Sequence, residues 1–112
     1  MLVSQRDVVL ISFPFSNLKG FKVRPVIVMS NDSYNKKFKD FIAVPLTSNI
    51  KLRDHTIPIT NNDLESGKLI VDSQAKIDKI FSIERSLVRK KIGKVTKETH
   101  QRIKEMFLKI IC

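Results

Sequence analysis

Short runs of apolar, β-branched residues alternate with polar segments over most of the chain, a pattern typical of β-strands. Three such runs come early: RDVVLISF at residues 6–13, PVIVMS at 25–30 and DFIAVPL at 40–46. Their length and their flanking turn-forming residues favour strands over helices. Residues 31–33, Asn-Asp-Ser, are capping or turn residues, so we expect a short helical turn between the second and third strands.

The middle of the chain predicts one strand with an unusual position. Residues 55–60, HTIPIT, alternate polar and apolar side chains, as a half-buried strand does. Pro58 has no amide hydrogen to donate to a neighbouring strand, so this strand belongs at a sheet edge or at a bulge. The next segment, residues 61–67, ends on glycine and is expected to form a single capped turn.

The last third of the chain predicts extended segments followed by one helix. Residues 69–72 and 74–81 are expected to be extended, and residues 86–95 to form a strand. Thr96 is a suitable N-cap, and apolar residues then recur three and four positions apart, which is helical spacing. These residues are Ile103, Met106, Phe107, Ile110 and Ile111. We therefore expect a C-terminal helix that packs one face against a sheet.

These elements predict a mainly β fold with a short helical insertion and a C-terminal helix. The 112 residues fit one domain spanning 1–112, with no internal repeat, low-complexity tract or linker. An apolar content of 42% is enough for a small core and is unlike that of disordered chains. Short strands and the lack of tryptophan favour a small closed or half-closed barrel over a two-sheet sandwich.

Composition argues against several classes of protein. No apolar run approaches the roughly 18 to 20 residues that a membrane span needs, and Arg6 and Asp7 interrupt the segment where a signal peptide has its uncharged core. We therefore expect a cytoplasmic protein without a membrane partner. The single cysteine, Cys112, has no internal disulfide partner, and two histidines give no metal-ligand spacing, so neither a metal nor another cofactor is expected.

The charge of the chain points to a polyanionic partner. The formal net charge is +10, and the excess is concentrated late: residues 76–112 hold 11 basic and 4 acidic side chains, against 10 and 7 in residues 1–75. Surplus Lys and Arg speed encounters with polyanions and attract phosphates without regard to sequence. Charge alone leaves three alternatives open, which are a nucleic acid, an acidic protein and a surface that is merely solubilising.

Two short segments are candidates for chemistry. In the first, Pro25 holds Arg24 in extended geometry at the point where a long basic loop, with Lys19 and Lys22, enters the second strand. An arginine at a fixed point offers a planar fork to phosphate oxygens. The second, residues 45–49 (Pro-Leu-Thr-Ser-Asn), ends the third strand and places the hydroxyls of Thr47 and Ser48 and the amide of Asn49 there. The plainer alternatives are an exposed loop cation and an ordinary strand end.

A third candidate is Lys76-Ile-Asp78. On a strand, residues two apart project to the same face, so the ammonium and the carboxylate would share a surface and could read a base or tune a proton transfer. The alternative is a surface ion pair of little energetic value. His55 and His100 are interpreted as surface residues, and the chain contains no zinc-protease, nucleophile-elbow or phosphate-loop motif.

Four segments follow one another along the chain: DVVLISFPFS, RPVIVMSND, VPLTSN and KIDKIFSIERSLVRKKIGKV, and a final helix follows them. Their order resembles the MazF/PemK family of toxin ribonucleases from bacterial toxin–antitoxin pairs. The resemblance spans the whole chain. It implies a small SH3-like β-barrel with a C-terminal helix, a homodimer, cleavage of single-stranded RNA, and inhibition by an acidic antitoxin that lies across the same groove.

The resemblance also implies roles for particular residues. Arg24 matches the family's catalytic arginine and Thr47 its catalytic threonine or serine, while Lys76 and Asp78 fall where members often have Arg and Asp. The residues expected to help bind substrate are Ser48, Asn49, Lys19, Lys22, Lys76 and Asp78. RNA supplies its own nucleophile in the 2′-hydroxyl, so the expected reaction needs no metal and leaves 2′,3′-cyclic phosphate and 5′-hydroxyl ends.

Two other functions remain open at the level of sequence. The first is a nonenzymatic basic barrel that only binds RNA or an acidic peptide. The second is a topoisomerase poison, because a related barrel fold serves that role and a fold does not fix a function.

Overall fold

The fold is an antiparallel sheet that curls around a C-terminal helix. The computed structural model describes residues 2–14 and 20–112, and within them it contains eight strands and two α-helices. The strands are β1 (Asp7–Pro14), β2 (Phe21–Val28), β3 (Asp40–Thr47), β4 (Thr56–Ile59), β5 (Leu64–Gly67), β6 (Ser73–Lys76), β7 (Phe81–Glu84) and β8 (Val88–Val95). The helices are α1 (Asp32–Lys37) and α2 (Lys97–Ile111), and 3-10 turns cover Asn61–Asp63, Ile77–Lys79 and Arg85–Leu87.

The strands lie in the order β4-β6-β3-β2-β1-β8-β5, and every pairing is antiparallel. Strand β3 changes partner along its length, because residues 40–43 pair with β7 and residues 46–47 pair with β6. This change of partner bends the sheet into a half-barrel, which confirms the predicted mainly β, SH3-like fold. Strand β4 is at one end of the sheet, so the edge position predicted from Pro58 is also confirmed.

The three strands β1, β2 and β3 are buried on both faces. In β2, Ile27 belongs to a first core that packs against α2, whereas Val26 and Val28 belong to a second core on the opposite face. In β3, Val44 belongs to the first core and Ala43 to the second. Strands that are covered on both faces have nearly continuous apolar sequences, which is why these three runs are the clearest in the chain.

The C-terminal helix covers the first core. It begins after Thr96, whose hydroxyl accepts a hydrogen bond from the Thr99 amide at 3.1 Å, as the sequence predicted. Ile103 is fully buried, and Met106, Phe107 and Ile110 pack against the same core. The expectation that Ile111 belongs to this face is wrong, because its side chain is 60% exposed. It lies about 80° around the helix axis from Ile103 at 3.6 residues per turn.

Two expectations for the middle of the chain are also wrong. The segment 74–81 is not continuously extended, because β6 ends at Lys76 and a 3-10 turn, Ile77–Lys79, separates it from β7. Segment 61–67 is more than one turn. Its 3-10 turn is capped by Thr60, and the strand β5 follows and pairs with β8. Four residues with little apolar character give no strand signal, since β5 is held by backbone pairing rather than by burial.

Gly67 fixes the close approach of β5 to β8. Its φ is +79°, a left-handed conformation that side chains rarely adopt. A Cβ at this position would lie 2.2 Å from the Ile92 carbonyl oxygen and 2.3 Å from the Gly93 Cα. Both atoms belong to backbone, so neither can rotate away.

We expect Gly67→Ala to lower the free energy of unfolding by more than about 1 kcal/mol, from the left-handed conformation alone. The measurement is a urea denaturation curve, with the exposed neighbour Ser66→Ala as the control. Equal unfolding midpoints for the two variants would contradict the close approach described here.

Candidate functional site

Strand pairing brings Arg24 and Thr47 to the same place. Within the β2–β3 ladder, Val26 lies opposite Pro45 and Val28 lies opposite Ala43. The same register, continued past the last paired residues, places Arg24 opposite Thr47. Both residues line the same two neighbouring cavities. The structure therefore joins two of the candidate segments that the sequence had only placed in order.

The position of Arg24 differs from the expectation. The sequence predicted a loop residue entering a strand that begins at Pro25, whereas β2 already begins at Phe21, so Arg24 lies inside the strand. It pairs with Ile11 of β1 and is half-buried. Paired backbone on one side and Pro25 on the other hold its Cα in extended geometry. The side chain thus starts from a fixed point.

Thr47 is the last residue of β3 and only 9% exposed. Its Oγ1 accepts a hydrogen bond from the Asn49 amide at 3.1 Å. A hydroxyl can donate one hydrogen bond while it accepts another. The Thr47 hydroxyl donates to none of the described residues, so its proton is open to a ligand. Asn49 itself is exposed and lines neither cavity, so its observed role is to orient the Thr47 hydroxyl through its backbone.

The first cavity, of about 400 Å³, combines cations with aromatic rings. Arg24, Lys76 and Lys79 supply its positive charge. None of the described residues that line it is acidic, and none of these three cations forms an ion pair or a side-chain hydrogen bond with another described residue. Its remaining lining residues are Phe13, Pro45, Leu46, Thr47 and Phe81. Among the described residues the cavity is therefore electropositive and has no acidic counter-charge, which suits an anionic ligand.

The second cavity, of about 360 Å³, adjoins the first and shares Arg24, Leu46 and Thr47 with it. Lys22 and Ser48, both candidates from the sequence, line it. The rest of its wall is mostly apolar and includes Ile70 and Val71, which are 93% and 52% exposed. Arg24 and Thr47 therefore line two adjoining depressions, one aromatic and cationic and the other mostly aliphatic.

The predicted sharing of one strand face by Lys76 and Asp78 is wrong, because the strand ends at Lys76. Asp78 lies in the 3-10 turn and accepts two hydrogen bonds from Arg53, at 3.0 and 2.7 Å. These bonds from Arg53 hold the pKa of Asp78 below its ordinary value. Asp78 lines neither cavity, so its observed partner is Arg53, while Lys76 joins the site.

The remaining candidates lie away from the site or outside the description. Lys19 is outside the described residues. His55 is exposed, and burial lowers the pKa of His100, whose Nε2 is 3.4 Å from the Met29 carbonyl oxygen. Over the described ranges, no three His, Cys, Asp or Glu side chains are grouped so as to hold a metal ion. No helix in those ranges is both long and apolar enough to cross a membrane.

The sequence did not point to three of the residues that line the first cavity, Phe13, Lys79 and Phe81. The two phenylalanines are apolar residues within or next to predicted strands, so they are indistinguishable from core residues. Lys79 was hidden by the expectation of a continuous extended segment. The signal that could have found two of them, Lys79 and Phe81, is their position close to Lys76, since KIDKIF holds all three within six residues. Phe13 has no such neighbour in the sequence.

Comparison with known proteins gives a consistent family. A family model described as PemK-like, MazF-like toxin of type II toxin–antitoxin system matches residues 4–111. Sequence comparison with the curated proteins finds no match.

Several solved structures share the fold. A MazE–MazF structure (Form-III) from Deinococcus radiodurans has a TM-score of 0.82 at 18% identity, covering 99% of this chain and 97% of that chain. An endoribonuclease in complex with its cognate antitoxin, from a mycobacterial species, has a TM-score of 0.78 at 16% identity, covering 97% and 94%. The Mycobacterium tuberculosis toxin MazF-mt6 has a TM-score of 0.75 at 15% identity, covering 95% and 96%.

At these identities, the structural likeness establishes the fold, and the family model establishes the membership. The model spans all but the first three residues and the last residue. The chain belongs to the PemK-like, MazF-like family of toxins of type II toxin–antitoxin systems.

Proposed function

We propose that this toxin is an endoribonuclease that cuts single-stranded RNA at the Arg24–Thr47 pair. The observation that carries the proposal is the placement of a half-buried arginine opposite a buried hydroxyl on the wall of a cavity with three cations and no acidic lining residue among those described. A phosphodiester supplies the negative charge that this cavity lacks. The family supports the same activity, and one of the structural neighbours is an endoribonuclease in complex with its cognate antitoxin.

In the proposed reaction the RNA provides the nucleophile. The 2′-oxygen forms a bond to the adjacent phosphorus, its proton passes to solvent, and the bond from phosphorus to the 5′-oxygen breaks. The leaving oxygen takes up a proton, so the products are a 2′,3′-cyclic phosphate and a 5′-hydroxyl. The protein has to position the phosphate and stabilise the charge that develops on its oxygens.

Arg24 and Thr47 are suited to those two tasks. The guanidinium fork of Arg24 donates to two phosphate oxygens at once, and the free proton of the Thr47 hydroxyl donates to a third oxygen or orients the 2′-hydroxyl. Lys76 and Lys79 hold a neighbouring phosphate in the first cavity, and Lys22 and Ser48 do so in the second. Asp78, bound to Arg53, fixes the turn that carries Lys79 and takes no proton in this scheme.

We further propose that an acidic antitoxin covers the same site. The chain's +10 charge attracts a polyanion, and two of the solved neighbours are complexes with an antitoxin. Because the antitoxin and the RNA would both use the cations around Arg24, their binding is competitive. This arrangement inhibits the toxin without a conformational change.

A homodimer is also proposed, as the resemblance implied. Among the described strands, β4 and β5 end the sheet and leave it open, and open strand edges are commonly covered by self-association. We also propose that the toxin works in the cytoplasm, where its RNA substrates are.

Arg24→Ala is expected to lower the rate of RNA cleavage by on the order of 10²- to 10³-fold, because one preorganised donor to the developing charge is lost. The measurement is single-turnover cleavage of a single-stranded RNA pool in EDTA, with the product ends mapped. Arg89→Ala removes the same charge from an exposed position on β8 and is the control. Equal rates for the two variants would sink the assignment, and intact RNA with a salt-sensitive complex would favour the nonenzymatic barrel.

Thr47→Val and Thr47→Ser separate the hydroxyl from the shape of the side chain. Valine keeps the volume and removes the donor, so we expect cleavage to fall by on the order of 10²-fold. Serine keeps the donor, so its rate should stay within several-fold of the parent. The same single-turnover assay checks both, and a valine variant that cuts as fast as the serine variant would show that Thr47 acts only by packing.

A further inference from the structure

Two phenylalanine rings form the apolar part of the first cavity. Phe13 lies near the end of β1 and Phe81 is the first residue of β7, and their ring centroids are 5.7 Å apart with an interplanar angle of 32°. Both rings are partly buried and pack against the second core, together with Leu87 and Val88. The core therefore holds the pair in place from below, and one side of it is left open to the cavity.

The surroundings of this ring pair specify an unusual ligand. Arg24, Lys76 and Lys79 line the same cavity of about 400 Å³, and the described lining residues include no carboxylate. A purely apolar ligand would leave these cations without a counter-charge, and a small inorganic anion would leave the rings uncovered. A good fit needs a flat apolar face and a negative charge in one molecule, and a nucleotide has both.

We propose that the Phe13–Phe81 pair is a base-binding subsite, which takes the unpaired nucleobase attached to the phosphate that Arg24 holds. This inference rests on the proposed function and adds to it the group that anchors the strand next to the cut. Arg24 lines the cavity that contains the rings, so the base in that cavity belongs to a nucleotide adjoining the reacting phosphate. Phe13 and Phe81 are positioning residues in this scheme.

Base stacking in this subsite would make the protein prefer single-stranded RNA. A base inside a duplex is stacked on both faces and has no free face to offer, whereas a base in a loop or an unpaired strand has one. Stacking on an aromatic ring tolerates any base, because every base has a π-face. The subsite should therefore demand an unpaired base and contribute little to the choice among the four.

The experiment removes the two partners of the stack separately and together. One arm uses the intact protein with short cleavable RNAs that carry a single abasic nucleotide, moved one position at a time past the cut. The other arm compares Phe81→Leu, which keeps apolar volume but loses the π-face, with Phe81→Tyr, which keeps it. Phe38→Leu is the matched control, because Phe38 is 44% exposed and lines neither this cavity nor its neighbour.

The expected result is a loss of about 5- to 100-fold in kcat/KM for Phe81→Leu, the scale of one base–aromatic stack. Phe81→Tyr and Phe38→Leu should stay close to the parent. For the parent protein, an abasic nucleotide at one position next to the cut should lower kcat/KM by a similar factor. For Phe81→Leu, the same abasic nucleotide should lower kcat/KM little further. A shared loss of this kind means that the ring and the base act on each other.

The proposed subsite and the proposed function are contradicted by different results. If the parent cuts no RNA, the proposed function fails. If the parent cuts and no abasic position slows it, the subsite fails while the function stands, and this arm needs no variant to fold. Equal losses for Phe81→Tyr and Phe81→Leu, or a loss confined to antitoxin binding, would also overturn the subsite by assigning Phe81 to packing or to the other partner.

Discussion

The pairing of β2 with β3 is the constraint on which the rest of the structure depends. Both strands are buried on both faces, so their backbone hydrogen bonds have to be made with each other and with β1, β6 and β7. A slip of one residue would exchange the residues of the two cores, Ile27 with its neighbours among them, and would turn Arg24 away from Thr47. The same burial that stabilises the sheet therefore sets the geometry of the site.

The distribution of charge follows from this arrangement. Several cations have structural partners: Lys91 and Lys94 lie 2.9 and 3.5 Å from the buried carboxylate of Asp7, and Arg53 holds Asp78. Such cations are partly neutralised within the protein. Lys76 and Lys79, by contrast, share a cavity with Arg24 and no described acid. The basic tract of β8 contributes to long-range attraction and to clamping Asp7, while the cations around Arg24 make the specific site.

Much of the fold could be predicted from the sequence, and burial explains why some elements were predicted and others were missed. Strands β1 to β3 were predicted because two-sided burial makes them continuously apolar, and Pro58 marked the edge strand by its missing amide. Strand β5 was missed because it is held by backbone pairing with β8, which leaves no hydrophobic pattern. The 3-10 turn after Lys76 was missed because three residues carry no period.

The candidate site could likewise be predicted only in part from the sequence. Arg24, Thr47 and Lys76 were chosen from the sequence and lie together, whereas the pairing of Asp78 with Arg53 joins residues far apart in the chain and leaves no local signal. Phe13 and Phe81 were missed because an aromatic residue that supports a core and one that also offers a face to a ligand look alike in a sequence. Only the open side of the ring pair distinguishes them.

A crystal structure of the protein with a single-stranded RNA that carries a 2′-O-methyl group at the cut tests the central claim most directly, because this group blocks the attacking oxygen. We predict one phosphate within hydrogen-bond distance of both the Arg24 guanidinium and the Thr47 hydroxyl. An RNA strand bound elsewhere, with Arg24 and Thr47 left uncovered, would contradict it.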